Sequence, residues 1–255
     1  LKAYFDTIPH GPLMTDIGRY IADGRALGLI EGFLKQDILE NMVHWSPEKG
    51  SPQGAVISPL LANLYLHPVD MATAEAGYEM IRYADDFVIL CRSREEAEKA
   101  LAIVKRLTFE RGLTLHPEKT RVVDLAVPGQ GFDFLGYHFE KGTRWPRRKS
   151  LKKLKNAIRS KTGRSNGHSL AVIIEDVNRT LRGWFEYFKH SNKWTFPSMD
   201  SWVRRRIRSI LRKRKGLKGI SRGHDHQRWP NQFFRDQGLF NLVEAHATLL
   251  QSSRR

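Results

Sequence analysis

A single cysteine, Cys91, in a chain of 255 residues leaves no internal disulfide and no cysteine-based zinc site. No run of 18 apolar residues occurs, and no charged-then-apolar leader opens the chain, so neither a membrane span nor a signal peptide is expected. These absences suit an intracellular location, with Cys91 at the end of a buried strand. Acidic residues are scarce in one half only. Residues 1–140 hold 14 Lys and Arg against 20 Asp and Glu, a balance of −6, whereas residues 141–255 hold 29 against 7, a balance of +22. A solvated surface mixes its signs, so a half-chain this lopsided implies a polyanionic partner. Nucleic acid fits better than a membrane surface, because buried-type aromatics are interspersed among the bases. With 40% apolar residues the chain is folded rather than disordered, and its length admits one large domain or two to three small ones.

In the acidic half, residues 1–5 read as a strand end, followed by helices over roughly 11–23 and 25–44 and a Pro-, Gly- and Ser-rich loop over 46–54. A helix starts near Ser58-Pro59 and runs to about Ala76, with proline at a tolerated first-turn position. Residues 78–83 and 87–91 form two strands joined at Ala84-Asp85-Asp86. The next helix is signalled by Ser93 and Glu96 as a capping box and by Gly112 as a stop. Short strands over 113–116, 121–125 and 131–139 complete an α+β arrangement with an antiparallel sheet.

The basic half reads as helices. Leu170, Ile173, Ile174, Val177, Leu181, Trp184, Phe185 and Phe188 form an apolar stripe, and Gly183 within it predicts a closely packed neighbour. A second helix, about 199–214, sets Val203, Ile207, Ile210 and Leu211 against Arg204, Arg205, Arg206, Arg208, Arg212, Lys213 and Arg214. No acid follows Asp200 in that helix, so its basic face is expected to touch nucleic acid. A Gly-, Lys- and Arg-rich connector then leads to a short helical unit over 229–250.

Asp85 and Asp86 sit beside an apolar run, Phe87-Val88-Ile89-Leu90. Two unit charges about 5 Å apart repel by roughly 3 kcal/mol at an effective dielectric of about 20, and apolar neighbours add to that cost. A divalent metal offsets the repulsion, and a pair of such ions serves in-line phosphoryl transfer. Taken alone, the pair reads as an ordinary Asp-rich turn.

Other motifs decide between the two. Tyr83-Ala84-Asp85-Asp86 resembles the metal-binding hairpin of reverse transcriptases, and Pro52-Gln53-Gly54 through Asn63 resembles their nucleotide-pocket motif. Leu115-His-Pro-Glu118-Lys119-Thr120 is similar to the lysine-bearing motif that follows, and Phe132-Asp-Phe134-Leu135-Gly136-Tyr137 to the primer-gripping hairpin. Leu181-Arg182-Gly183-Trp184 through Phe188 resembles the thumb, or maturase, helix of group II intron proteins. The closing Asp225 to Phe234, with Gly238-Leu-Phe, resembles the tail of bacterial members that lack a nuclease domain.

The resemblance implies a reverse-transcriptase palm over 1–140, an all-α thumb or maturase domain over 141–214 and a basic nucleic-acid-binding segment over 215–255. It implies an RNA-directed DNA polymerase and intron maturase in which Asp85 and Asp86 hold two Mg²⁺ ions. Lys119 would lie near the triphosphate as a catalytic residue, Phe5 would be the aromatic gate against a ribose 2′-hydroxyl, and Pro52, Gln53 and Gly54 would line the nucleotide. Phe134, Leu135 and Gly136 would support the primer. Arg182, Lys189, Arg204, Arg205, Arg208, Arg212, Lys213 and Arg214 would hold nucleic acid. The implied partners are group II intron RNA, an RNA template with a DNA primer, deoxynucleoside triphosphates and target DNA, in a bacterial cytoplasm. The family's first motif carries a leading aspartate, a third metal ligand, at the position just before Leu1. The expectation is therefore an N-terminally incomplete palm with little activity of its own. Two alternatives stay open: a non-catalytic RNA-binding splicing cofactor, and a non-intron reverse transcriptase. A nuclease reading of His224-Asp225-His226 lacks any paired cysteine or further histidine cluster.

Overall fold

The structure is a computed structural model that describes residues 1–36, 38–40, 43–45, 49–51, 55–219 and 223–252, with backbone alone at 38–40 and 43–45. It divides into two compact units, Leu1–Asp124 and Leu125–Arg255.

The first unit runs α1 (Tyr4–Thr7), α2 (His10–Gly18), α3 (Gly24–Leu34), the hairpin β1 (Ile38–Glu40) and β2 (Val43–Trp45), α4 (Ser58–Glu75), the hairpin β3 (Glu79–Tyr83) and β4 (Asp86–Leu90), and α5 (Arg94–Glu110). Helix α4 is its spine. Leu61, Ala62, Tyr65, Leu66 and Val69 of α4 share a core with Tyr4, Ile8, Leu13, Ile17, Leu34 and Leu113. Each such aliphatic side chain contributes about 1.5–3 kcal/mol of transfer free energy. Two buried tyrosines satisfy their hydroxyls on backbone: Tyr4 donates to the Ala62 carbonyl and Tyr65 to the Arg111 carbonyl, both at 2.5 Å. These bonds tie α1 and the end of α5 to α4. Helix α5 carries its predicted signals. The Ser93 hydroxyl accepts from the Glu96 N–H, and Gly112, at φ +69, closes the far end with its N–H on Phe109 and that of Leu113 on Thr108.

Several expected elements differ. Residues 4–7 are helical rather than a strand end, although Lys2 still donates to the Thr114 carbonyl at 2.9 Å. The helix expected over 25–44 stops at Leu34, and the strands β1 and β2 occupy its expected tail. Residues 113–116 and 121–125 are not strands, and 131–139 contains a turn.

The second unit begins with a three-stranded antiparallel sheet, β5 (Phe132–Phe134), β6 (Tyr137–Glu140) and β7 (Thr143–Pro146). Among the described residues six helices follow: α6 (Arg148–Lys161), α7 (Leu170–Phe188), α8 (Thr195–Arg214), α9 (Gly223–Arg228), α10 (Asn231–Asp236) and α11 (Leu242–Ser252). The stripe read from the sequence on α7 is buried, with Ile173, Ile174, Val177, Leu181 and Phe185 packed against Val203, Ile207 and Ile210 of α8. Trp229, Phe234, Leu239 and Leu242 belong to the same core, so the chain after 214 is part of the helical body. Gly183 has open space around it, with no atom beyond its own helix backbone and chain neighbours within 4 Å of where a Cβ would stand, so the close packing expected there is absent. The sheet belongs with these helices because its aromatics lie on α7: the Tyr137 ring centroid is 4.9 Å from that of Phe188. The compact units therefore divide after Asp124, before the sheet.

Candidate active site and nucleic-acid interface

The hairpin of β3 and β4 is closed by Tyr83 opposite Asp86, leaving Ala84 and Asp85 as a two-residue turn. Ala84 holds φ +53, a left-handed conformation that costs a non-glycine residue about 1 kcal/mol or more. What holds it is Arg82. One terminal nitrogen of its guanidinium donates to the Ala84 carbonyl and to Asn63 Oδ1, both at 2.9 Å. Its Nε donates to Asp70 Oδ1 at 2.7 Å and its other terminal nitrogen to Asp70 Oδ2, a bidentate fork. The bond to Asp70 raises the guanidinium's affinity for its proton above the ordinary arginine value, against the opposing effect of burial. Asp70 and Asn63 both lie on α4, so the turn is bolted to the spine of the unit.

Arg82 and Phe87 face each other, as do Met80 and Ile89, and the Thr73 hydroxyl of α4 reaches Met80 Sδ at 3.4 Å. Asp86, the first residue of β4, is exposed, whereas Asp85 in the turn is half-buried. The main-chain nitrogen of Leu1 lies 3.5 Å from the Asp85 carbonyl oxygen and 4.0 Å from its Oδ2.

Tyr4 sits beneath this turn, and burial pushes its phenol well above the usual tyrosine range, with Arg82 opposing. Phe5 is half-buried beside it, with ring centroids 5.6 Å apart and edge-on. The Phe5 carbonyl accepts from the Ser51 N–H at 2.7 Å, and the Ile8 carbonyl from Gly50 at the same distance. His10 Nε2 meets the Gly50 carbonyl at 2.6 Å. Gly50 itself is at φ +92, where a Cβ would stand 2.9 Å from the Asp6 carbonyl oxygen, so only glycine fits. The chain leading into the nucleotide-pocket motif is thus stitched to α1 and the start of α2. Pro52, Gln53 and Gly54 themselves lie outside the described residues. Lys119 is exposed on a turn that its N–H helps close on the His116 carbonyl.

Among the described residues no three His, Cys, Asp or Glu side chains form a cluster able to hold a metal. Two hard carboxylates do suit Mg²⁺, which takes one or two protein carboxylates and completes its shell with substrate phosphates and water. His224, Asp225 and His226 form no such cluster either; Asp225 is buried and receives two bonds from Arg212, at 2.9 and 3.1 Å.

In the second unit, Phe134 closes β5 against Tyr137, and Leu135 (φ +48) with Gly136 (φ +82) makes a tight turn. The turn is fixed on both sides. Tyr187 donates to the Leu135 carbonyl at 2.8 Å, while Arg147 and Ser150 both donate to that of Gly136 at 2.9 Å.

The basic face expected on α8 is partly structural. Arg208 is only 1% exposed and donates to the Trp229 carbonyl at 2.9 Å and Asn231 at 2.8 Å. Arg212 is paired with Asp225, and Arg204 is half-buried, where desolvation lowers its affinity for a proton. Lys213 donates to Ser165, and exposed Arg214 to the His168 carbonyl. These residues hold the helices together, which removes Arg208 and Arg212 from the expected contact surface. Arg205 stays exposed, as does Arg182, whose guanidinium lies 4.7 Å from the Phe240 ring. Lys189 pairs with Glu186.

A second basic surface takes their place. Helix α6 buries Leu154 and Ile158 and exposes Arg148, Lys149, Lys152, Lys153 and Arg159, with no acid in its length. Beside it, Lys155, Arg159 and Arg206 all lie 5.7–5.9 Å from the Trp202 ring centroid. Burial, then the charge of Arg159, lowers the proton affinity of Arg206. The signal for α6 is present in the sequence as Leu151, Leu154 and Ile158 at three- and four-residue spacing.

Residues 1–139 match the family described as reverse transcriptase (RNA-dependent DNA polymerase), and residues 151–229 match the group II intron maturase-specific domain. The group II intron-encoded protein LtrA of Lactococcus lactis subsp. cremoris is 44% identical over 70 residues, 28% of this chain and 12% of that protein. Protein YkfC of Escherichia coli strain K12 is 27% identical over 172 residues, 54% of this chain and 44% of that protein. An uncharacterized 91 kDa protein in the cob intron of Schizosaccharomyces pombe is 40% identical over 70 residues, 28% of this chain and 9% of that protein. The matched segments thus span less than half the length of these relatives. No helix among the described residues is long and apolar enough to cross a membrane. The chain belongs to the reverse transcriptase family, in its group II intron reverse transcriptase and maturase group.

Proposed function

We propose that this chain is the palm and thumb of an RNA-directed DNA polymerase that also assists splicing of a group II intron. The observation that carries the reading is the clamped turn, which presents two carboxylates on a rigid hairpin inside a family-matched palm. Mg²⁺ bound there would supply charge neutralisation and activation of the primer 3′-hydroxyl for in-line attack. Asp85 and Asp86 are the residues that would hold it, and Arg82 fixes where Asp85 stands. Phe5, bound through its carbonyl to Ser51, gates the nucleotide, and Pro52, Gln53 and Gly54 line it. Lys119 reaches the triphosphate. Phe134, Leu135 and Gly136, on a turn fixed by Tyr187 and Ser150, support the primer.

Template, primer and intron RNA bind the second unit. Arg182, Arg205, Lys213 and Arg214 contribute from the surface first read from the sequence, joined by the bases of α6. The basic surface also favours the second reading, an RNA-binding splicing role without polymerisation, and the two separate by experiment. Mn²⁺ standing in for Mg²⁺ and followed by electron paramagnetic resonance is expected to bind weakly to the chain alone. Binding tightens when a deoxynucleoside triphosphate is added, and Asp85→Asn abolishes the gain. Mn²⁺ binding indifferent to both the nucleotide and the substitution contradicts the polymerase reading and leaves RNA binding alone.

A further inference from the structure

The connector between α7 and α8 builds a cavity that the polymerase reading does not use. It has a volume of about 440 Å³, within the range of small-molecule sites, and lies between this connector, Arg144 of β7 and the end of α11. Its lining includes Arg144, Lys189, Lys193, Trp194, Leu249 and Leu250, and among the described residues that line it there is no carboxylate.

Trp194 is the unusual member. Trp184, Trp202 and Trp229 are buried or half-buried in the helical body, whereas Trp194 is 74% exposed. A lone exposed aromatic is ordinary on a protein surface. Here, however, the indole stands at a cavity with Lys193 Nζ 5.1 Å from its ring centroid. Its backbone is fixed. Trp194 N–H donates to Asn192 Oδ1 at 3.1 Å, Asn192 N–H donates to the Arg144 carbonyl at 2.8 Å, and Arg144 Nε donates to the His190 carbonyl at 3.0 Å. A backbone held this way needs no ordering when something stacks on the indole, which lowers the cost of binding. Lys189 is paired with Glu186, whose side chain is itself exposed to solvent, so that pairing is weakly held.

We infer that this cavity binds one unpaired nucleotide of a single-stranded nucleic acid, with the base stacked on Trp194 and its flanking phosphates on Lys193 and Arg144. An apolar ligand would leave Arg144 and Lys193 unanswered at the site, and a simple anion would leave the indole and Leu250 unused. A nucleotide supplies both a flat π-face and a negative backbone, and only an unstacked one can enter a concave site. The inference rests on the nucleic-acid reading of the second unit and adds to it a preference for single strands.

The test uses the full chain, with binding followed by fluorescence anisotropy. The probes are a labelled oligouridylate of about ten nucleotides, its oligothymidylate counterpart and a blunt RNA duplex of the same length. Trp194→Ala is expected to weaken single-strand binding by about five-fold to a hundred-fold, the range that one stacked base contributes. Trp194→Phe restores most of it, and duplex binding stays unchanged. The RNA and DNA probes then tell which strand the site prefers. Unchanged single-strand affinity in Trp194→Ala, beside tight salt-sensitive binding by the parent, overturns the pocket and leaves the nucleic-acid reading standing. Equal losses for strand and duplex also overturn it. A parent chain that binds none of the probes overturns both.

Discussion

Arg82 and Asp70 form a two-pronged ion pair that locks the carboxylate-bearing turn to helix α4. Asp70 is three residues short of Thr73, the contact of Met80, so two inward residues of β3 land on successive turns of one helix. The turn's positive φ at Ala84 persists because its carbonyl is held by the same guanidinium. The strain and the clamp belong together.

Substituting Arg82 should therefore damage catalysis more than folding. Arg82→Lys keeps a charge but loses the planar fork. Primer extension by a catalytically complete protein is expected to fall about ten-fold or more, because small misplacement of a catalytic group is costly. Arg82→Ala leaves Asp70 without its partner and should cost about 2 kcal/mol of stability, discounted for the partial exposure of the pair. Chemical denaturation separates the two effects, and a Lys variant with full activity contradicts the positioning role.

Gly50→Ala is expected to destabilise the first unit by about 1–3 kcal/mol. The φ of +92 and the approach to the Asp6 backbone leave no room for a methyl group. A melting curve that matches the parent's would mean that the stitch between Ser51 and Phe5 is not as close as described.

The bases of α6 predict a steep salt dependence. Log K for RNA should fall with log salt by about 0.7 to 0.9 per phosphate neutralised, giving a slope of magnitude above about 4. Changing Arg148, Lys149, Lys152 and Lys153 to Gln together should reduce that magnitude by about 3. Arg208→Gln should instead lower stability, since its guanidinium is buried on Trp229 and Asn231. A parent slope near 1 contradicts the polyanion reading.

His246 carries a pH dependence of known sign. It is buried against Phe196, ring centroids 4.7 Å apart, and burial lowers its pKa from the ordinary 6.5. The unfolded chain binds the proton more readily, so stability rises with pH across this window. The contribution is fully present above the ordinary value and is lost as pH falls toward the folded one. Melting at pH 7.5 and 5.5 should show a smaller acid loss in His246→Phe than in the parent; an equal loss places the effect elsewhere.

Much of this was legible in the residues. The strands around Asp85, the capped helix after Ser93 and the stripe from Leu170 to Phe188 each carry dense local signals, and the structure has them. Residues 4–7 misled because Tyr4 and Phe5 favour strands, yet Tyr4 is committed to a bond with Ala62, 58 positions away. The roles of Arg208 and Asp225 were hidden for the same reason. A basic stripe looks alike in sequence whether it faces solvent or holds a distant carbonyl. The Arg82 clamp was likewise invisible, because nothing local announces that Asp70 and Asn63 will face it. The paired carboxylates are advertised by adjacency; their supports are spread along a helix.

The most direct measurement is Mg²⁺-dependent primer extension on an RNA template by the protein and by its Asp85→Asn variant, with primer–template binding followed for both. Extension that Asp85→Asn abolishes while binding is retained is the expected result. Extension that survives the substitution would contradict the assignment of the turn as the metal-holding site.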